Sequence, residues 1–579
     1  MTQPPINTRM RLRTGIVGAF FMLALAVITA QAVRLNVFQG AWLSERAARE
    51  YERAMVVQGK RGAITDRNGT PLAVSIDSAS IAAYPRQIEN RQAAARQLAR
   101  ALGQSRQEVA KRLDPKRGFV WIKRQAVPRQ AEAVRALGLK GIDFISEHSR
   151  YYPNKTLAAQ LVGFSGIDSR GLEGLEFYFD GDLKGREEEM TIFRDALGRR
   201  FEGVGLPDQL TEGNNVVLTI DSTIQHIAQK ALETSVTTYK AESGMAVVMA
   251  PATGEVLALA HYPFFNPNRY GEYCRSSWRN RAVTDSFEPG STMKMFSAAA
   301  AIDSGVCSPS TIFYCENGEY RVGRNTVHDT KPHGWLSLQQ IVKYSSNIGS
   351  VKMAEKLGPQ QLYNYLYAFG FGQRSGIACP GETAGSLSPF RSWSAIDTGA
   401  ISFGQGVSVS VIQLATAASA IANGGMLMKP QLVRSVTDRN GRTIKRYSPE
   451  PVRQVISTHT AAEMRRILKT AISEGGTGVN AAIQGYSVCG KTGTAQKIDS
   501  SGTYAKGRYL SSFIGFAPAD QPELTILVIV DEPTVQCYGG IVAAPAFRQI
   551  ALETLGYLNI PPGRDADQLQ VSRGDRLKG

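Results

Sequence analysis

Three short runs in this chain combine residue types and spacings suited to nucleophilic chemistry. In Ser291-Thr292-Met293-Lys294, which follows Phe287-Glu288-Pro289-Gly290, a serine and a lysine stand three residues apart. On a helix that spacing places both side chains on one face, about 5–6 Å apart at Cβ. A serine hydroxyl is a weak nucleophile until a neighbouring base takes its proton, and the lysine amine is within reach to do so. Such a pair is expected by chance in a long chain, so alone it says little. Further along come Ser345-Ser346-Asn347 and Lys491-Thr492-Gly493-Thr494. A Lys-Thr-Gly-Thr run arises by accident in roughly one chain of this size in a few hundred. The three runs in this order point to acyl transfer through a serine.

The second half of the chain supplies elements that can position these groups. A strand over residues 216–220 precedes a helix over 223–238, and strands over 245–250 and 255–260 are joined by the turn Pro251-Ala252-Thr253-Gly254 as a hairpin. Helical patterns follow Ser291, Ser337, Val411 and Thr460. Strands recur over 486–490, 512–517 and 524–531, and a last helix covers 545–558. Hairpin-linked strands with helices before, between and after predict an α+β domain over 214–560, its sheet mainly antiparallel and flanked by helices. Ahead of it, residues 56–213 contain a strand running into the Asn68-Gly69 turn, a helical stretch rich in Ala, Arg and Gln over 91–113, and an acidic helix start at Gly171-Leu172-Glu173-Gly174-Leu175-Glu176. They offer no metal constellation. The tail, 561–579, is charged and rich in Pro and Gly, a composition expected to be disordered.

Composition narrows the setting. The chain has 579 residues, enough for two to four domains, and a net charge of +16. No stacking aromatics or recognisable nucleic-acid module accompany that charge, which suits an anionic membrane or wall polymer better than a nucleic acid. The six cysteines all lie between Cys274 and Cys537, with no Cys-x-x-Cys spacing for zinc and no regular disulfide framework. A bridge between Cys307 and Cys315 stays open. At the amino terminus, Arg9, Arg11 and Arg13 precede a mostly apolar run over 15–33. Helical rise of 1.5 Å per residue makes that run roughly 28 Å long, close to a bilayer core of about 30 Å. Residues 1–14 then belong on the cytoplasmic side, 15–33 form a single-pass anchor, and the rest of the chain lies outward. A cleaved signal peptide ending at Ala30-Gln31-Ala32 is the rival reading. Residues 34–55 are a juxtamembrane segment with a short helix over 41–52.

Taken together, these motifs resemble those of a class B penicillin-binding protein, of the division-type peptidoglycan D,D-transpeptidase kind (penicillin-binding protein 3 type). The likeness extends to Arg61-Gly62 through Gly69, to Gly171-Leu172-Glu173-Gly174, to Arg279-Asn280-Arg281-Ala282-Val283, and to Val530-Asp531-Glu532-Pro533 with Ala543-Ala544-Pro545. It covers roughly residues 10–562. The resemblance implies a pedestal domain of the dimerisation type over 56–213, a transpeptidase domain over 214–560, and no cofactor. It also implies an enzyme of the inner membrane with its catalytic domain in the periplasm, which crosslinks stem pentapeptides during septal wall synthesis. In such an enzyme a donor ending in D-Ala-D-Ala acylates the serine, an amine on a neighbouring stem accepts the acyl group, and β-lactams acylate and block it. A polytopic glycan-polymerising protein and other division proteins are the implied partners, the former meeting the membrane-side part of the chain.

Within that resemblance Ser291 is the nucleophile and Lys294 its base. A free lysine titrates near 10.4 and must fall by roughly three units, about 4 kcal/mol of bias against its charge, to act at neutral pH. Burial and the second cation Lys491 both push that way. Ser345 is the implied proton shuttle between the lysines and Asn347 a holder of the substrate amide, although Ser-Ser-Asn after a helical segment is also what a helix-end cap looks like. Thr492 and Thr494 suit the substrate carboxylate, Gly493 allows close backbone approach, and Tyr538 walls the acyl pocket. The backbone N–H groups of Ser291 and Thr494 form the implied oxyanion hole. Two departures stand out. Cys489 replaces a small residue two positions before Lys491, and reads better as an apolar filler than as a thiol facing the cleft. The loop Gln536-Cys537-Tyr538-Gly539-Gly540 has one aromatic where relatives often have two. A serine β-lactamase needs a base for a deacylating water that is not identifiable here, a bifunctional synthase needs a longer first domain, and an idle scaffold or β-lactam sensor has no need of intact motifs.

Overall fold

The computed structural model describes residues 6–40, 42, 52–185, 187–194, 200–201, 212–499 and 502–563. Packing divides the chain into two compact units, Met1–Gly59 with Arg186–Glu212, and Lys60–Gly185 with Gly213–Gly579. The first unit begins with a helix over Ile6–Val33 that continues through a π-turn over Arg34–Phe38. Its Met10–Phe38 stretch is long and apolar enough to cross a membrane, and none of it is buried against protein. The same unit holds a small antiparallel sheet in which Glu187–Arg194 lies between Glu52–Gln58 and Arg200–Phe201. Most of the short helix expected over 41–52, and all of the tail beyond residue 563, fall outside the described residues.

In the second unit, a seven-stranded sheet runs Thr443–Arg446, Val433–Thr437, Asn215–Leu218, Ile64–Thr65, Pro71–Ala83, Val120–Ala126, with Ile142–Tyr151 paired to Pro71–Ala83. Asn215–Leu218 pairs parallel with Ile64–Thr65 and antiparallel with Val433–Thr437, so segments far apart in sequence share one ladder. The helical stretch expected over 91–113 is two helices, Arg91–Leu102 and Arg106–Arg112. The break falls at Gly103, whose φ of +64° ends the first helix in the left-handed conformation that glycine adopts without a Cβ penalty. Arg61 and the acidic run near Glu176 come together around one carboxylate. Arg61 Nε and Arg150 Nε each donate to Glu176 at 2.6 Å, and Arg61 Nη1 reaches Asp180 at 2.6 Å. Glu176 is fully buried, and a charge so placed persists only when paired.

The centre of this unit is a five-stranded antiparallel sheet in the order Val256–Tyr262, Ser243–Met249, Leu524–Asp531, Tyr504–Ala517, Cys489–Ile498. Val256–Tyr262, Ser243–Met249 and Leu524–Asp531 read as almost unbroken apolar runs because both faces are covered. Met245, Val247 and Met249 pack with the helices Lys294–Asp303 and Val411–Ala422, while the alternate residues Ala246 and Val248 pack with Ser222–Thr238 and Ala544–Tyr557. Strand and helix limits expected from the sequence hold closely except over 512–517, where the strand already begins at Tyr504, and near residue 486. There Tyr486 makes only an isolated bridge to Ile483, and the strand proper starts at Cys489. Cys489–Ile498 is an edge strand, and its free side faces the segment that carries Ser291.

Candidate active site

Ser291 sits in a 3-10 turn, Gly290–Met293, that feeds directly into the helix Lys294–Asp303. The turn starts from Gly290 in the left-handed region, at φ +54°. Lys294, 1% exposed, donates from Nζ to Ser291 Oγ at 3.1 Å, as the three-residue spacing requires. The same ammonium reaches the Ser345 carbonyl at 2.6 Å, Ser345 Oγ at 3.2 Å and Asn347 Oδ1 at 2.7 Å. From the edge strand, Lys491 Nζ, also fully buried, lies 2.9 Å from Ser345 Oγ. Five of the expected polar residues thus meet in one network, although they come from three separate stretches of chain.

The Ser345–Asn347 segment is both a helix cap and part of this network. Ser345 is the left-handed cap that ends Leu338–Tyr344, at φ +63°. Ser346 is the N-cap of Asn347–Leu357, accepting from Gly349 N–H at 2.9 Å. The reversal between the two helices turns Ser345 Oγ and the Asn347 side chain toward Lys294. Asp329 fixes this corner. It accepts from Ser346 Oγ at 2.6 Å and from the backbone N–H groups of Asn347 and Ile348 at 2.5 Å and 3.0 Å. A carboxylate at a helix N-terminus satisfies orphan donors and meets the positive end of the helix dipole. Sequence reasoning passed over Asp329, because no local pattern marks it.

Burial sets the charge state of the lysines. Lys294 is held well below the ordinary lysine value of 10.5, first by desolvation and next by the Lys491 cation, with Asp329 opposing. Desolvation lowers Lys491 to about 7. Both shifts favour a neutral amine inside the site, the state a base must have.

The cleft above this network has a volume of ≈ 620 Å³, and Ser291, Ser345, Asn347, Thr492, Thr494 and Tyr538 are among the residues that line it. Thr492 Oγ1 donates to Thr477 Oγ1 at 2.9 Å, and Thr494 Oγ1 accepts from Gly539 N–H at 3.2 Å. Tyr538 is half-exposed on the wall. Gly493 lies close against the serine turn. A Cβ there would lie 2.8 Å from Thr292 Cγ2 and 3.2 Å from the Pro289 carbonyl. A Cβ on Gly290 would lie 3.2 Å from the Thr494 carbonyl, so that carbonyl faces the serine turn. A strand residue projects its N–H and C=O to the same edge, which turns the Thr494 N–H toward Ser291 as well. All six cysteines are free thiols, Cys307 and Cys315 among them. Cys489 is fully buried in the core and its thiol is raised by desolvation to about 12, as befits a filler.

Comparison with known proteins places the chain in a family. Residues 244–552 match the family described as penicillin binding protein transpeptidase domain, and residues 56–218 the penicillin-binding protein dimerisation domain. A probable peptidoglycan D,D-transpeptidase, PbpC of Pseudomonas aeruginosa, is 35% identical over 569 residues, covering 98% of each chain. Peptidoglycan D,D-transpeptidase FtsI of Escherichia coli is 32% identical over 579 residues, covering 98% of this chain and 96% of its own. Among solved structures, penicillin binding protein 3 of Mycobacterium tuberculosis in complex with aztreonam superposes with a TM-score of 0.69 at 29% identity, over 88% of this chain and 98% of that one. The same protein in complex with ampicillin gives the same values. With both domains present in order, and relatives matched along nearly their whole length, the chain belongs to the class B penicillin-binding proteins, enzymes of the serine D,D-transpeptidase type.

Proposed function

We propose that this protein crosslinks peptidoglycan stem peptides in septal wall synthesis through an acyl-enzyme on Ser291. The observation that carries this reading is the placement of Ser291 Oγ 3.1 Å from the Nζ of a buried, charge-depressed lysine. Neutral Lys294 takes the Ser291 proton as Oγ attacks the carbonyl of the penultimate D-alanine of a donor stem. The backbone N–H groups of Ser291 and Thr494 hold the oxyanion, a contribution of about 3–4 kcal/mol per donor in comparable sites. Collapse expels the terminal D-alanine, whose nitrogen takes a proton relayed through Ser345 Oγ, the hydroxyl shared by Lys294 and Lys491. Asn347 holds the donor amide, Thr492, Gly493 and Thr494 its carboxylate end, and Tyr538 covers its acyl side. An amine of a second stem then attacks the ester, releasing Ser291 and leaving the crosslink.

β-Lactams acylate Ser291 in the same way, a reading supported by the aztreonam and ampicillin complexes of the Mycobacterium relative. The Met10–Phe38 helix is the single-pass anchor, with the catalytic domain in the periplasm. Residues 56–213 and 214–560 act as pedestal and transpeptidase domains. The membrane-side part of the chain meets a polytopic glycan-polymerising protein of the division machinery. Deleting residues 1–55 should abolish co-purification with such a partner, and undiminished co-purification would refute the contact.

Intact mass against time for the full chain in detergent with benzylpenicillin, alongside Ser291→Ala, tests the mechanism. A long-lived adduct on the wild type and none on the variant is expected. Rapid loss of the adduct with drug hydrolysis would favour a β-lactamase. No adduct on folded protein would remove the acyl-enzyme reading.

A further inference from the structure

Glu288, three residues before Ser291, lines two cavities. One is the active-site cleft, and the other is a space of ≈ 330 Å³ beside the same edge strand. Glu288, Ala495 and Gln496 line both, so they form the wall where the two spaces adjoin. The carboxylate is held in place. Gly406 N–H donates to Oε1 at 2.8 Å, and the Tyr504 hydroxyl donates at 3.1 Å to Oε2 and 3.3 Å to Oε1. A carboxylate has about four acceptor positions, so capacity remains for a donor arriving from the cleft.

The setting of Glu288 differs from that of every acid around it. Asp531 is neutralised by Arg281 at 2.9 Å and Lys497 at 3.0 Å, and Asp285 by Arg281 at 3.0 Å. Asp329, the other acid lining the cleft, is spent on the N-terminus of Asn347–Leu357. Among the described residues Glu288 has no cationic partner, and its burial pushes the carboxyl above the ordinary value. A half-buried acid left without a cation costs stability, and the cation it lacks can come with a ligand.

We propose that Glu288 receives the acceptor amine and that the adjoining cavity seats the acceptor stem, a peptide bearing a primary amine. This rests on the acyl-transfer reading above. Among the described residues that line the cleft, Glu288 offers an incoming ammonium a negative charge that no cation or helix terminus offsets. The ammonium loses its extra proton to bulk water, and the neutral amine binds with an N–H donated to Glu288. As the C–N bond forms on the ester carbonyl, positive charge develops on nitrogen, and the carboxylate stabilises it. The C–Oγ bond then breaks, and the surplus N–H proton ends on Ser291 Oγ. Glu288 is neither consumed nor acylated.

The test uses the full chain in detergent with a D-alanyl thioester donor and D-alanine as the amine, measuring aminolysis product over hydrolysis product. Both products arise from one acyl-enzyme, so their ratio is insensitive to how fast that enzyme forms. Glu288→Gln is expected to lower the ratio by about tenfold, and Glu288→Asp, which keeps the charge, by about threefold or less. A ratio equal to the wild type's in both variants would overturn the proposal, as would equal losses in Gln and Asp. Absence of any Ser291 adduct in the wild type would overturn the acyl-transfer reading itself, and is read separately by intact mass.

Discussion

Lys294 and Lys491 reach one hydroxyl from two sides, with Ser345 Oγ 3.2 Å from the first Nζ and 2.9 Å from the second. Each ammonium disfavours the other, and burial disfavours both. The pair therefore sheds a proton well below the 10.5 of a free lysine. Acylation of Ser291 requires neutral Lys294, so its rate should rise with pH along a limb displaced to the acid side of 10.5. Lys491→Met removes the repelling cation, and Lys294 then keeps its proton to higher pH. The limb should move toward alkali, with a maximal rate lower by about 10²–10³-fold. Benzylpenicillin acylation rates from about pH 5 to 10 decide it, and a limb that stays or moves toward acid contradicts the coupling.

The same depression acts on stability. Folded Lys491 releases its proton near about 7, whereas the unfolded chain holds it to about 10.5. Between those values the unfolded state binds more protons, so stability rises with pH across that window. In Lys491→Met this titration is gone. The melting temperature of the variant relative to wild type should be most favourable near pH 7 and decline toward pH 10. A difference constant with pH would mean that Lys491 is not desolvated as described.

Asp329 carries the third expectation. Alanine there removes the acceptor for Asn347 N–H, Ile348 N–H and Ser346 Oγ. Loss of a cap costs about 1–2 kcal/mol, which thermal unfolding can measure. The corner that aims Ser345 and Asn347 at Lys294 also loosens, and acylation should slow by about 10–100-fold. A variant that is destabilised but acylates at the wild-type rate would confine Asp329 to a structural role.

How far the sequence revealed these features depends on the range of the interactions. Ser291 and Lys294 were legible because a single helical turn joins them, and Lys491 because its neighbours form a rare linear run. The central strands were legible because residues such as Met245 and Ala246 feed two different cores from alternate positions, leaving a nearly unbroken apolar run. Asp329 was not, since its partner Ser346 lies 17 residues away and the approach is created by intervening chain reversals. Glu288 was visible only as a flank of the serine motif. Its lack of a cation depends on Arg281 and Lys497 being engaged elsewhere, which is a property of the folded site. The start of the edge strand at Cys489 was misplaced because Tyr486, an aromatic that suits a strand, bridges only to nearby Ile483.

Gly493 yields the last expectation. A methyl group there would lie 2.3 Å from Ser512 Oγ, 2.8 Å from Thr292 Cγ2 and 3.2 Å from the Pro289 carbonyl. The serine hydroxyl can rotate away. Thr292 is fully buried, and Pro289 presents backbone, so neither can yield without moving the turn that carries Ser291. Overpacking of this kind costs about 1–3 kcal/mol. The larger effect falls on chemistry, because the displaced partners are the Ser291 turn and the strand bearing Thr494, the two sides of the proposed oxyanion hole. A misplacement of about 1 Å is worth around 10²-fold in rate. Gly493→Ala should therefore cut benzylpenicillin acylation by about that factor while lowering the melting temperature only modestly. Acylation within about threefold of the wild type would show that the strand and the turn can separate without cost, and that their close approach does not set the geometry of the site.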